Sequence, residues 1–246
     1  ESASLRIIMD PIDGTRGIMY DKRSAFFLAA AAPNKGAATT LRDVEVAVMT
    51  ELPTSRSNLS DTLWAIKGRG AHAYTRNLRS GDIARREIRP SRSRTIIGGF
   101  AQIARFFPPG RELLARIEDE LIDTLAPQRQ PGKAVTFEDQ YISSGGQLYE
   151  MLMGHDRFVA DVRTALYRRL AREGKTPGHV CHPYDVCATL IGREAGLAIT
   201  DIAGRDLDTP LDLLASVDWI GYANEYIRAE VEPVLQALLR KYGLME

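Results

Sequence analysis

Short apolar runs at residues 5–9, 24–32, 44–49, 62–66, 71–74 and 95–97 are separated by Gly, Pro, Asn, Asp and charged residues. Runs of this length, bounded in this way, predict antiparallel strands rather than helices. No other feature constrains the fold as strongly, because strands joined by short turns pair with their neighbours and need a layer against which to bury one face. Lys67-Gly68-Arg69-Gly70 lies between two runs and reads as a hairpin loop, too short for a dinucleotide fingerprint.

The pattern then changes. Leu113, Leu114, Ile117, Leu121 and Ile122 recur at helical spacing, with acids between them, and predict an amphipathic helix over residues 111–125. Residues 127–133, polar and holding two prolines, predict a linker and a boundary near residue 135. Residues 1–134 then form an α+β part and residues 135–246 an α/β part. Beyond the boundary, a strand at 140–142 leads through Ser143-Ser144-Gly145-Gly146 into a helix at 147–153 and a strand at 157–162. A helix over 183–195 stops at Gly196, strands follow at 197–200 and 219–222, and a last helix over 225–242 stops at Gly243. The expected class is layered α/β, with an antiparallel sheet in the first half and a mixed sheet with helices in the second.

Composition excludes several functions. Lys and Arg number 32, as do Asp and Glu, so no overall field attracts nucleic acid or an anionic membrane. No basic stripe with interleaved aromatics is visible, and a nucleic-acid polymer is not an expected partner. The longest uncharged apolar stretch, residues 25–32, is far short of the roughly 20 residues that cross a bilayer. Cys181 and Cys187, too few for a disulfide framework, predict free thiols in a reducing cytoplasm. With His182 they make a poor zinc set, lacking a CxxC pair. The opening Glu-Ser-Ala-Ser carries neither Met nor a signal peptide, so the sequence is expected to begin inside a longer chain.

The chemistry gathers where the first strand is expected to end, in Asp10-Pro11-Ile12-Asp13-Gly14-Thr15. Two carboxylates three residues apart, with Pro11 restricting the backbone between them and Gly14 permitting a sharp turn, can share one space. Acids so close repel unless a cation or proton lies between them, and oxygen ligands suit Mg²⁺. Thr15 is a candidate helix N-cap whose hydroxyl and neighbouring N–H groups would hold an anion. Turn formation alone also explains these residues. Asp185, in His182-Pro183-Tyr184-Asp185, falls in the first turn of a helix, where a charge complements the helix dipole. Gly154-His155-Asp156 reads as a turn rather than part of a catalytic triad, and Phe106-Phe107-Pro108-Pro109 as loop packing or a dimer contact.

The run from Asp10 to Thr15 resembles the signature of the inositol monophosphatase-like superfamily, Mg²⁺-dependent and lithium-sensitive phosphatases. These include inositol monophosphatases, 3'(2'),5'-bisphosphate nucleotidases and fructose-1,6-bisphosphatases. The stretch from Tyr184-Asp185 to Glu194-Ala195-Gly196 is similar to the second family motif, and the Gly68-Arg69-Gly70 hairpin and Ser143-Ser144-Gly145-Gly146 loop resemble further family features. The resemblance implies an α/β sandwich and hydrolysis of a small phosphorylated metabolite by water without a phosphoenzyme. Inositol phosphate or a 3',5'-bisphosphate nucleotide is the type of substrate implied. It implies two or three Mg²⁺ ions held by Asp10, the Ile12 carbonyl, Asp13 and Asp185, with Asp13 and Thr15 catalytic. Gly14, Thr15, Ser144, Gly145 and Asp185 would contact substrate, and members are often homodimers.

Departures accompany the resemblance. Family members carry a Gly-Glu-Glu segment and another Asp upstream of the first motif; here Glu1 is the only acid before Asp10, so part of the site and the first layer are expected to be missing. Tyr184 stands where Trp is commoner, and Gly146 is an unusual second glycine. Arg16-Gly17 leans toward the nucleotidase branch, with Arg16, Lys22 and Arg23 as candidates for a second phosphate. The rival expectation is a non-catalytic phosphate- or metabolite-binding module on the same fold, or an inactive fragment.

Overall fold

The computed structural model describes residues 3–128 and 130–246, so Glu1 and one residue of the expected linker lie outside the described residues. Six strands, β1 (Leu5–Asp13), β2 (Ala25–Pro33), β3 (Val46–Leu52), β4 (Leu59–Ile66), β5 (Ala71–Asn77) and β6 (Ile83–Arg86), form one antiparallel sheet in sequential order. A second sheet, ordered β7-β8-β10-β9, comprises β7 (Phe100–Ile103), β8 (Asp156–Asp161), β9 (Ala198–Thr200) and β10 (Trp219–Tyr222). Only the β7–β8 pair is parallel, so this sheet is mixed. The change of sheet falls between Arg86 and Phe100, on the N-terminal side of residue 135.

Six helices complete the described residues: α1 (Thr15–Met19), α2 (Arg111–Leu125), α3 (Ser144–Leu152), α4 (Arg163–Arg172), α5 (Thr189–Glu194) and α6 (Glu225–Lys241). Helices α3 and α5 touch strands of both sheets, and α2 and α6 pack on each other, on β7 and on β10. The resulting layers run sheet, helix, sheet, helix. Phe26, Leu28, Met49 and Leu63 of the first sheet, Leu148 and Met151 of α3, and Phe158 and Trp219 of the second sheet join one continuous core. At about 25 cal/mol per Å², burial of these side chains is the main term holding the layers together. On β1 the alternation sends Ile8 inward and leaves Leu5, Ile7 and Met9 exposed on the outer face.

Several elements differ from the sequence reading. Strand β1 does not end at Met9 but runs to Asp13, with Asp10 opposite Leu28 and Asp13 opposite Phe26. Three residues on β1 therefore span two on β2, a bulge at a sheet edge, where Pro11's missing N–H is tolerated. Residues 95–97 and 140–142 are not strands. Strand β6 is exposed throughout and carries no apolar run, the short apolar β7 is interrupted by buried Gln102, and α4, rich in arginine, buries one side chiefly through Ala165, Leu166, Tyr167 and Leu170. The expected helix over 183–195 is a 3-10 turn at Pro183–Val186 followed by α5. Thr15 is the first residue of α1 rather than its cap, a place taken by Gly14.

One contact joins two motifs 124 residues apart: the Glu194 carboxylate accepts hydrogen bonds from Gly68 N (2.8 Å) and Gly70 N (2.7 Å). The end of α5 is thereby tied to the β4–β5 hairpin.

Candidate functional site

The bulge that carries Asp10 and Asp13 ends at Gly14, whose φ of +92° is left-handed, and a Cβ there would lie 3.1 Å from Ser143 Cβ. Glycine thus lets the β1–α1 turn approach the start of α3. The 3-10 turn brings Asp185 to the same place from the far half of the chain. One carboxylate oxygen from each of Asp10, Asp13 and Asp185 falls within 4.8 Å of the others.

A backbone N–H fixes one oxygen of each carboxylate. Ile12 N donates to Asp10 Oδ1 (3.0 Å), Gly145 N to Asp13 Oδ2 (2.6 Å), and His182 N to Asp185 Oδ2 (2.6 Å). Ser143 Oγ adds a second hydrogen bond to Asp13 Oδ2 at 2.8 Å while accepting from Gly146 N, and so caps α3 and positions Asp13 together. A Cβ on Gly145 would sit 2.9 Å from Asp13 Oδ2 and from Leu28 Cδ2, so the close approach requires glycine. The remaining oxygens are the ones available to a cation.

Electrostatics follow from this crowding. Burial pushes the Asp13 carboxyl up to about 7; the Gly145 hydrogen bond opposes this, while the Asp185 and Asp10 charges add to it. Burial likewise raises Asp185 to about 6, against the His182 N–H and with the Asp10 charge, and raises Asp10 against the Ile12 N–H. Three acids whose ionised forms are all disfavoured make a site that a divalent cation relieves. The donors are hard oxygens, which suits Mg²⁺ rather than a thiolate-seeking metal. Cys181 and Cys187 are buried with their thiol pKa values raised, so neither is a ready thiolate ligand.

The carboxylates open into a cavity of about 240 Å³ that Ile12, Gly14, Thr15, Arg16 and Ser144 also line. Thr15 Oγ1 donates to the Ile12 carbonyl at 2.8 Å, which commits its proton and leaves its lone pairs. Gly145 lies behind Asp13 and is not part of the cavity lining. Of the basic residues expected to meet a second phosphate, Arg16 reaches the lining, whereas Arg23 pairs with Asp139 and lies 4.6 Å from the Tyr141 ring centroid. His155 bonds Glu150, and neither it nor Asp156 reaches the cavity. The sequence reading missed Ser143, Arg163, His179 and the Phe106-Phe107 pair, all of which line the cavity. Only the apolar, turn-flanked character of Phe106-Phe107 signalled a surface of some kind.

No protein-family model and no curated protein matches the sequence. Solved structures do match. The IMPase of Thermotoga maritima aligns over 99% of this chain and 73% of its own, with TM-score 0.61 and 19% identity. An inositol monophosphatase from Anabaena aligns over 96% and 75%, with TM-score 0.60 and 15% identity. A fructose-1,6-bisphosphatase of Leishmania major in its T-state aligns over 97% and 70%, with TM-score 0.64 and 15% identity. The chain has the inositol monophosphatase-like fold. Its neighbours in that fold are phosphatases, and within the fold the acidic cluster lies at the seam between the edge of the first sheet, the start of α3 and the 3-10 turn.

Proposed function

We propose that the protein is a Mg²⁺-dependent phosphatase that hydrolyses phosphomonoesters of small metabolites. The observation that carries this reading is the convergence of Asp10, Asp13 and Asp185 beside Gly14 and Thr15 at the mouth of a cavity. Support comes from the fold, whose neighbours include an inositol monophosphatase and a fructose-1,6-bisphosphatase.

Asp10, the Ile12 carbonyl, Asp13 and Asp185 are the groups that would hold the metal, as two or three ions. Bound there, Mg²⁺ supplies Lewis-acid polarisation of phosphoryl oxygens and lowers the pKa of water toward neutrality. The Thr15 hydroxyl, its proton committed to Ile12, accepts a hydrogen bond from the attacking water and orients it. Gly17 N donates to the Gly14 carbonyl at 2.9 Å, so the first-turn N–H groups left to receive the phosphate oxygens are those of Thr15 and Arg16. Ser143 and Gly145 act through Asp13, whose free oxygen they aim, while Ser144 contacts the ester. Asp185 stands beside the leaving alcohol. The water oxygen bonds to phosphorus as the phosphorus–oxygen bond to the alcohol breaks; the water gives one proton to solvent, the leaving alkoxide takes one from solvent, and the products are the alcohol and inorganic phosphate.

The test is inorganic phosphate release from inositol 1-phosphate, adenosine 3',5'-bisphosphate, histidinol phosphate and fructose 1,6-bisphosphate, in Mg²⁺ and in chelator. Release from at least one ester that needs Mg²⁺, slows in Li⁺ and disappears in Asp13→Asn is expected. Equal release in chelator, or full activity of the variant, contradicts the assignment.

A further inference from the structure

The cavity wall opposite the carboxylates is a chain of rings. Phe106 and Phe107 meet edge to face with centroids 5.0 Å apart, Phe107 meets His179 at 5.5 Å, and His179 meets His182 at 6.0 Å. His182 then stacks on Tyr184 at 5.1 Å, and Tyr184 adjoins Asp185, so the rings lead to the acidic cluster. Phe106, Phe107, His179 and Tyr184 all line the cavity, and none of the four is fully buried. Their faces are apolar surface held against water until something covers them.

Arg163, which lines the cavity beside these rings, and the groups around it already have partners. Asp161 is buried and accepts twice from the Arg163 guanidinium, Oδ1 from Nε at 2.8 Å and Oδ2 from Nη2 at 2.5 Å. Arg163 Nη1 donates to the His179 carbonyl at 3.1 Å. Its guanidinium carbon lies 4.6 Å from the Phe106 ring centroid and 5.3 Å from that of Phe107, which braces the rings. His182 Nδ1 donates to the Ala215 carbonyl at 2.8 Å. Burial, with the Arg163 and His182 charges, also holds the His179 imidazole toward its neutral form. No free carboxylate on this wall, among the described residues, accepts hydrogen bonds from a polyol. A flat ring finds faces to stack on here, apolar surface that a polyhydroxylated alcohol covers less well.

Resting on the phosphatase reading of the same site, we infer that the alcohol half of the substrate carries a planar aromatic or heteroaromatic ring. This ring stacks against Phe107 and His179 while the phosphate sits at the carboxylate end.

Titration calorimetry in Mg²⁺ with 2-phenylethyl phosphate, glycerol 2-phosphate and inorganic phosphate tests this, followed by kcat/KM for the two esters. Both esters have ordinary alkyl leaving groups, so the ring is the principal difference between them. The ring ester is expected to bind about tenfold more tightly than the glycerol ester, a preference of the size that aromatic contacts and the covered ring area provide. Phe107→Ala and His179→Ala should each move that ratio toward one, and Phe107→Tyr should restore it, which separates stacking from damage to the fold. A ratio of one in the natural protein, or a ratio that survives both alanine variants, overturns the inference and leaves the phosphatase reading standing. Failure of inorganic phosphate and both esters to bind in Mg²⁺ removes the phosphatase reading and the inference together.

Discussion

Asp13→Asn is the substitution for which the structure makes the sharpest forecast. Asp13 is 7% exposed, and burial lifts its folded pKa from 3.8 to about 7. A raised carboxyl pKa means that the folded state binds the proton more tightly than the unfolded chain does. Stability is therefore present below the unfolded value and is lost as pH rises through the folded one. At about pH 8, ionised Asp13 destabilises the metal-free protein by about 4 kcal/mol, the three-unit shift converted at about 1.4 kcal/mol per unit. At about pH 4.5 the same arithmetic leaves about 1 kcal/mol. Asparagine keeps an acceptor for Gly145 N and Ser143 Oγ and carries no charge. Coupling to Asp10 and Asp185 reduces the gain, so the variant is expected to be more stable by about 2–4 kcal/mol in chelator at about pH 8. That corresponds to a melting temperature higher by on the order of 10 °C, shrinking to a few degrees at about pH 4.5. Calorimetric melts at the two pH values measure both gaps. An asparagine variant no more stable at high pH, or a gap that does not change with pH, refutes the argument that an uncompensated buried carboxylate strains the site.

Asp156, 3% exposed and lifted by burial to about 7, follows the same sign rule outside the cavity. Asp156→Asn should raise the melting temperature more at about pH 8 than at about pH 4.5, by several degrees, while leaving the Mg²⁺ response as it was. Glu194→Ala removes the two backbone hydrogen bonds to the hairpin and, since Glu194 is half-buried and reached by solvent, should cost only about 1 kcal/mol in urea denaturation at neutral pH. The Glu194 carboxyl pKa is lowered, chiefly by the Gly68 hydrogen bond, so its contribution fades as pH falls through that lowered value and the difference should vanish in acid. Gly145→Ala places a methyl 2.9 Å from Asp13 Oδ2 and Leu28 Cδ2, and should destabilise by about 1–3 kcal/mol and weaken Mg²⁺ binding by shifting Asp13.

The first sheet was legible because β2 to β5 announce themselves as apolar runs between turns, each burying one face. Strand β6 was not, since Ile83–Arg86 is exposed throughout and an edge strand needs no apolar face. Helix α2 was readable to the residue from its apolar period, whereas α4 combines a few apolar positions with four arginines. Asp10, Asp13 and Asp185 could be named from their motifs, but not the device that aims them. Ser143 meets Asp13 across 130 residues, and Gly145 donates to it across 132. Nor could spacing reveal the aromatic wall, whose rings come from residues 106–107, 179, 182 and 184 and meet only after the second sheet and the 3-10 turn are in place.

Everything proposed for the site depends on three carboxylates sharing a divalent cation. Mn²⁺ titration followed by electron paramagnetic resonance, with Mg²⁺ as competitor, measures this without requiring catalysis. The natural chain is expected to bind Mn²⁺ saturably and release it to Mg²⁺, with Asp10→Asn and Asp185→Asn each weakening the affinity by about tenfold or more. Binding that is absent from the natural chain, or that is equally strong in both variants, contradicts the assignment of the metal to Asp10, Asp13 and Asp185.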